Sequence, residues 1–145
     1  MRLSEIMSAP AITIRSTASA AEAAARMRSA HVTHLVVLNG ARQIVGVLSD
    51  HDLRGAEPGS AIAELMSGPV ATLPASADVQ EAAKLLRRRD IGSVLVLAGK
   101  RLAGIVTTSD LLALLGKGTL RIQETTPKWT LAKRGPTHRP EPRRP

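Results

Sequence analysis

The sequence predicts a mixed α/β (α+β) fold: two tandem β-α-β-β-α repeats, residues 1–58 and 59–116, forming one pseudo-two-fold pair, with an irregular basic tail at 117–145. Three observations predict it. The chain lies on itself after a shift of about 59 residues, the mark of a duplicated unit. Each copy passes from a helical period to two short apolar runs. The basic charge is also segregated: of twenty Lys and Arg against twelve Asp and Glu, eight against two fall in 117–145.

The repeat is dense. Leu3-Ser4-Glu5-Ile6-Met7-Ser8 falls on Ile62-Ala63-Glu64-Leu65-Met66-Ser67, Pro10 on Pro69 and Thr13 on Thr72. Glu22-Ala23-Ala24 falls on Glu81-Ala82-Ala83, Arg28 on Arg87 and Gly40 on Gly99. One deletion in a loop then brings Gly46 onto Gly104, Asp52 onto Asp110 and Leu53 onto Leu111.

Each copy opens with a short turn that ends at Met7 or Met66 and is broken by Pro10 or Pro69. A brief extended segment follows, Ala11–Ile14 or Val70–Leu73. Ser19 with Glu22, and Asp78 with Glu81, have capping-box spacing and start a helix. Apolar faces Ala20, Ala23, Ala24, Met27 and Val79, Ala82, Ala83, Leu86 follow the i, i+3, i+4, i+7 pattern. Strands Leu35–Leu38 and Ile44–Leu48 flank Asn39-Gly40, and Val94–Leu97 and Leu102–Val106 flank Ala98-Gly99. These runs are apolar almost throughout, which predicts burial on both faces. A closing helix is expected from near Asp50 in the first copy and near Ser109 in the second, where Gly116 ends it. A unit of roughly fifty residues leaves much apolar surface exposed, so the two are expected to press together.

Composition narrows the function. With one Trp, no Tyr and no Phe, the core must be aliphatic. The absence of Cys excludes disulfides, a thiolate metal site and a Cys nucleophile. His31, His34, His51 and His138 are scattered, and no nucleophile–base constellation emerges, so a catalytic role is not expected. No apolar run reaches the ~20 residues of a membrane span, and the N-terminus lacks a signal-peptide core, so the expected location is cytoplasmic.

The last strand of each copy runs into its closing helix as Gly46-Val47-Leu48-Ser49-Asp50-His51-Asp52-Leu53 and Gly104-Ile105-Val106-Thr107-Thr108-Ser109-Asp110-Leu111. A hydroxyl at a helix start sits among free N–H groups that favour phosphate, and a carboxylate one turn on can accept from a ribose diol. The same Ser/Thr-x-x-Asp spacing also makes a plain helix cap, and duplication copies a cap as faithfully as a site. Asp50, Asp52 and Asp110 suit capping or ribose better than a Mg²⁺ site, although a nucleotide can bring Mg²⁺ with it.

Over residues 1–116 the chain resembles the cystathionine-β-synthase-type (CBS) domain pair. The residues that carry the likeness are Ile6-Met7-Ser8 with Pro10 and Thr13, Val32-Thr33-His34-Leu35-Val36-Val37, and the motif from Gly46 to Asp52. Their counterparts are Leu65-Met66-Ser67 with Pro69 and Thr72, Ile91-Gly92-Ser93-Val94-Leu95-Val96, and the motif from Gly104 to Asp110. The resemblance implies two adenine-nucleotide clefts, one holding Thr13, His34, Thr107 and Asp110, the other Thr72, Ser93, Ser49 and Asp52. It places Asp52 and Asp110 on ribose and Ser49 and Thr107 near phosphate. Ile12 or Ala71, and Val32 or Ile91, would flank adenine. His34 either meets phosphate when protonated or is a neutral, hydrogen-bonded core residue. His31 is expected solvated at a helix end, and Arg87-Arg88-Arg89 are expected to face a helix C-terminus or, alternatively, phosphate or a partner.

The implied function is a regulatory sensor of AMP, ADP, ATP or S-adenosylmethionine, with no obligatory cofactor, that signals to a separate protein partner. It implies a homodimer, for which the apolar Leu111, Leu112, Leu114 and Leu115 on one short helix also argue. Alternatives are a structural adaptor working through its tail, or nucleic-acid binding by that tail. Five of nine prolines lie in 117–145, so the segment from Gly135 is expected to lack regular structure, with Trp129 as an anchor.

Overall fold

Two three-stranded sheets, one per repeat, are built from the predicted strands. The computed structural model describes residues 1–68 and 70–117. In the first sheet β1 (Thr13–Arg15) runs parallel to β2 (His34–Leu38), which is antiparallel to β3 (Ile44–Ser49). In the second, β4 (Thr72–Pro74) is parallel to β5 (Ser93–Ala98), and β5 is antiparallel to β6 (Arg101–Thr107). The crossovers are α2 (Ala20–Ala30) and α3 (Val79–Arg89). Both capping boxes form: Ser19 with Glu22, and Asp78 with Glu81. Residues Met1–Ala113 make one compact unit. The tail after Lys117, with Trp129, and Pro69 lie outside the described residues.

The apolar strands are buried on both faces. In β2, Leu35 and Val37 pack with Ala23, Met27, Leu48 and Ile62 on the helix side, whereas Val36 packs with Val47, Leu95 and Ile105 on the other. Val36 corresponds to Leu95 and Val47 to Ile105 in the repeat, so this second cluster joins the two sheets through equivalent positions. On the helix side of the second sheet, Val94 packs with Ala71, Leu85 and Leu86. Ala83, expected on the apolar face of α3, is exposed, and Leu85 is buried. Val79, Ala82 and Leu86 are buried as expected, and Leu85 widens the face on the side away from Ala83.

The opening segments are exchanged between the repeats. α1 (Leu3–Ile6) packs on the second repeat: Leu3 N–H donates to Ala77 C=O at 2.9 Å, and Ser8 bridges Ile105. The matching 3₁₀ turn Ile62–Glu64 packs on the first: Ile62 N–H donates to Ala18 C=O at 3.2 Å, and Ser67 bridges Val47. The close approach explains the paired glycines. A Cβ on Gly46 would lie 2.7 Å from Met66 Sδ and 3.0 Å from Ser67 O. A Cβ on Gly104 would lie 2.8 Å from Met7 Sδ and 2.7 Å from Ser8 O.

The closing helix forms in one repeat only. α4 (Thr108–Gly116) follows β6, but Asp50–Gly55 after β3 are successive turns. There Asp52, Leu53 and Arg54 donate to the carbonyls three residues earlier, and Gly55 turns out at φ +77°. Gly55, with Pro58 close behind it, leaves too few residues to propagate a helix. The hairpin turns differ too. Gly99 takes the left-handed conformation in a two-residue turn, whereas Asn39 organises a longer loop, its side-chain oxygen accepting from Ala41 and Gln43 N–H at 2.9 Å each.

Gly104→Ala should destabilise the fold by about 1–3 kcal/mol, because the obstructing Ser8 carbonyl is backbone and cannot rotate away. Urea denaturation checks this, with Gly92→Ala, where a Cβ meets nothing within 4 Å, as the control expected to differ little.

Candidate functional site

The strand-to-turn junctions that carry the repeated motif are held at the centre of the unit. Asp50 N–H donates to Thr33 C=O at 2.9 Å, and Thr108 N–H donates to Gly92 C=O at 3.1 Å. Each bond ties the end of a closing strand to the residue before the central strand, and so fixes Ser49 beside His34 and Thr107 beside Ser93 in register.

Within each motif the hydroxyl and the carboxylate cap one another. Asp52 Oδ2 accepts from Ser49 N–H at 2.8 Å, and Ser49 Oγ accepts from Asp52 N–H at 3.2 Å. Asp110 Oδ2 accepts from Thr107 N–H at 2.7 Å and from the Thr107 hydroxyl at 3.1 Å, while Thr107 Oγ1 accepts from Asp110 N–H at 3.2 Å. Both readings of the motif are therefore compatible. The bonds use one oxygen of each carboxylate, and Oδ1 makes no hydrogen bond among the described residues. A carboxylate oxygen has two acceptor positions, enough for a vicinal diol.

One cavity, of about 210 Å³, is lined by residues of both repeats. Ser49, Asp52, Val47 and His34 come from the first, and Ser67, Val70, Ala71, Asp90, Ile91, Gly92 and Ser93 from the second. Ser49, Asp52 and Ser93, which the resemblance grouped in one cleft, lie together here with Ala71 and Ile91. Thr72, assigned to the same cleft, does not line it and is exposed. His34, assigned to the opposite cleft, lines this one.

The other predicted residues lie elsewhere. Thr13 lines an outer groove of about 1010 Å³ between α2, β1 and the β2–β3 loop, where its carbonyl accepts from Arg26 Nε at 2.8 Å. Val32 lines a third cavity, of about 600 Å³, with Met27, His31 and Leu53. Thr107 and Asp110 are half-buried at the start of α4. His31 is the exposed C-cap of α2, and Arg87, Arg88 and Arg89 form the exposed last turn of α3.

Burial pushes the His34 imidazole below its ordinary value of 6.5, while the carboxylates of Asp50, Asp52 and Asp110 pull the other way. Desolvation prevails, so the ring is neutral near pH 7. Thr33 Oγ1 lies 3.1 Å from its Nδ1. The response to Asp110 as well as Asp52 puts His34 under the influence of both motifs. Sequence reasoning missed Asp90 as a cavity residue, although the repeat aligns it with His31. Among the described residues no group of three or more His, Asp or Glu side chains is placed to hold a metal ion. No helix among them is long and apolar enough to cross a membrane.

A family model, the CBS domain, matches residues 3–59 and 62–117. The magnesium transporter MgtE of Bacillus subtilis (strain 168) is 37% identical over 82 residues, 56% of this chain and 18% of the transporter. The chain spans between 18% and 59% of the length of the curated relatives it matches. Among solved structures, the CBS domain pair of protein MJ0100 in complex with 5′-methylthioadenosine and S-adenosyl-L-methionine superposes with a TM-score of 0.73 at 28% identity, covering 81% of this chain and 98% of that one. The cytosolic domain of the Mg²⁺ channel MgtE in complex with ATP gives 0.63 at 28% identity, covering 75% and 46%.

The depressed His34 pKa has a signed consequence for stability. Its contribution is fully present above the unfolded value near 6.5 and is lost as pH falls through 6.5 and then through the folded pKa, because the unfolded chain binds the proton first. Denaturation series at pH 7.5 and 5.5 should show a smaller loss of stability on acidification in His34→Gln than in the wild type. An NMR titration of the ring with its midpoint above 6.5 would contradict the assignment.

Proposed function

We propose, since the chain belongs to the CBS domain family and holds two copies of the domain, that it is a non-catalytic regulatory module that binds an adenosine-bearing ligand between its repeats. The ligand class is an adenine nucleotide (AMP, ADP or ATP) or S-adenosylmethionine. The observation that carries this reading is the cavity built from Ser49 and Asp52 of one repeat and Ala71, Ile91 and Ser93 of the other. Apolar walls suit a flat base, and the unused Asp52 oxygen suits a ribose diol. The solved relatives bound to 5′-methylthioadenosine with S-adenosylmethionine, and to ATP, support the same class. Thr107 and Asp110 are assigned the corresponding role in a second cleft. Any Mg²⁺ would enter with the phosphates of a nucleotide.

Because both repeats contribute to the wall, a ligand that prefers one angle between them shifts the population of that angle, and a separate protein can read the shift. Self-association is proposed from α4. None of its residues is buried, and Leu112 is 60% exposed although Leu111, Leu112, Leu114 and Leu115 are all apolar. Such a helix has a face to bury.

Asp52→Ala and Asp110→Ala should each weaken adenosyl-ligand binding about tenfold or more, as expected for losing charge-assisted hydrogen bonds of about 1.5–3 kcal/mol. Isothermal titration calorimetry against AMP, ATP and S-adenosylmethionine measures it, and unchanged affinity in both variants would end the cleft assignment. Light scattering at micromolar concentration should give a dimer mass, shifted to monomer by Leu112→Lys.

A further inference from the structure

The Ser49–Asp52 cavity has a distinctive charge. Its ionisable lining consists of Asp52, Asp90 and His34, and neither Lys nor Arg is among its lining residues. The Arg87–Arg89 run, although next to Asp90 in sequence, contributes nothing to the wall. Among the described residues, a phosphate placed here would meet two carboxylates and no permanent cation.

The backbone here differs from a helix start. Phosphate binding after Ser49 would rely on the free N–H groups of a helix start. No helix forms there: Asp50–Gly55 are turns. The Asp52, Leu53 and Arg54 N–H groups already donate to Ser49, Asp50 and His51 carbonyls at 3.0–3.2 Å. In the second repeat, by contrast, the nine-residue α4 follows the equivalent strand.

Asp90 is not required by the backbone it occupies. It caps α3 in the left-handed conformation (φ 54°, ψ 50°), its N–H donating to Arg87 and Leu86 carbonyls. His31 does the same for α2 (φ 57°, ψ 45°), donating to Arg28 and Met27. The cap therefore needs a residue that tolerates positive φ, not a carboxylate. A negative charge at a helix C-terminus also opposes the macrodipole, an effect the neighbouring arginines offset. The carboxylate thus has no structural requirement, yet it lines the ligand cavity.

We propose, resting on the adenosyl-ligand reading of this cavity, that the Ser49–Asp52 cleft selects adenosyl compounds whose 5′ substituent is neutral or cationic, such as a thioether or a sulfonium, against those carrying phosphate, and that Asp90 is the specificity-determining residue. The carboxylate attracts a sulfonium or ammonium group and repels a phosphate at the same position. A neutral thioether is indifferent to it.

The test is calorimetric titration of the full chain with S-adenosylmethionine, 5′-methylthioadenosine, AMP and ATP, in EDTA and in Mg²⁺. The binding component lost in Asp52→Asn identifies this cleft. For that component the expected order is S-adenosylmethionine tightest, then 5′-methylthioadenosine, AMP and ATP. Asp90→Asn should weaken the sulfonium and tighten AMP, each about two- to fivefold, and leave the thioether unchanged. AMP or ATP binding this cleft as tightly as S-adenosylmethionine, with or without Mg²⁺, would overturn the selectivity and leave the adenosyl reading standing. An equal shift for all ligands in Asp90→Asn would reduce Asp90 to a structural cap and overturn its role. Absence of binding by every adenosine compound would remove the underlying reading and the selectivity with it.

Discussion

The structure depends on one contact: the packing of Val36 and Val47 against Leu95 and Ile105 across the junction of the two sheets. Each three-stranded sheet already uses one face against its own helix. Its other face would be open without the second repeat, and burying a Val, Leu or Ile is worth about 1.5–3 kcal/mol per side chain. The exchanged opening segments reinforce this contact. Met7 and Met66 each sit on the glycine of the opposite repeat, so neither half completes its own surface.

The same pairing creates the candidate site. The cavity has no complete wall within one repeat: the hydroxyl–carboxylate motif arrives from the end of β3, and apolar residues of the second repeat from the segments just before β4 and β5. Burial at this junction also explains the His34 titration, since the ring loses solvent faster than three nearby carboxylates can compensate. A ligand held between two halves joined chiefly by aliphatic packing can bias their relative angle, the physical basis of a sensor. The duplication is approximate, and its departures give the two halves different chemistry: His34 against Ser93, His31 against Asp90, turns after Ser49 against a helix after Thr107.

Much of the fold was legible in the residues. The capping boxes at Ser19 and Asp78, the strand runs and the burial of both strand faces follow from spacing and apolar content, which are local properties. The expected closing helix of the first repeat was not formed, because Gly55 and Pro58 outweigh the short apolar pattern at Asp50–Leu53. The buried face of α3 takes in Leu85 and not Ala83, since the seat of a helix on its sheet is set by packing and the helical period alone does not fix it. Of the candidate cleft implied by the CBS resemblance, Ser49, Asp52 and Ser93 line one cavity and Thr72 does not. Asp90 was missed, because a residue at a helix end carries no periodic signal of what it faces.

By itself the sequence determined the duplicated unit, its helix starts, its aliphatic core and the two hydroxyl–carboxylate motifs, since propensity, capping and hydrophobic period act over a few residues. Only the tertiary structure decided that each opening turn packs on the other repeat, that His34 lines the Ser49–Asp52 cavity, and that the described lining of this cavity is anionic. Those outcomes depend on which of two nearly equivalent surfaces each segment meets. That choice is made by close packing between residues as far apart in the chain as Met7 and Gly104, beyond the range of any local pattern.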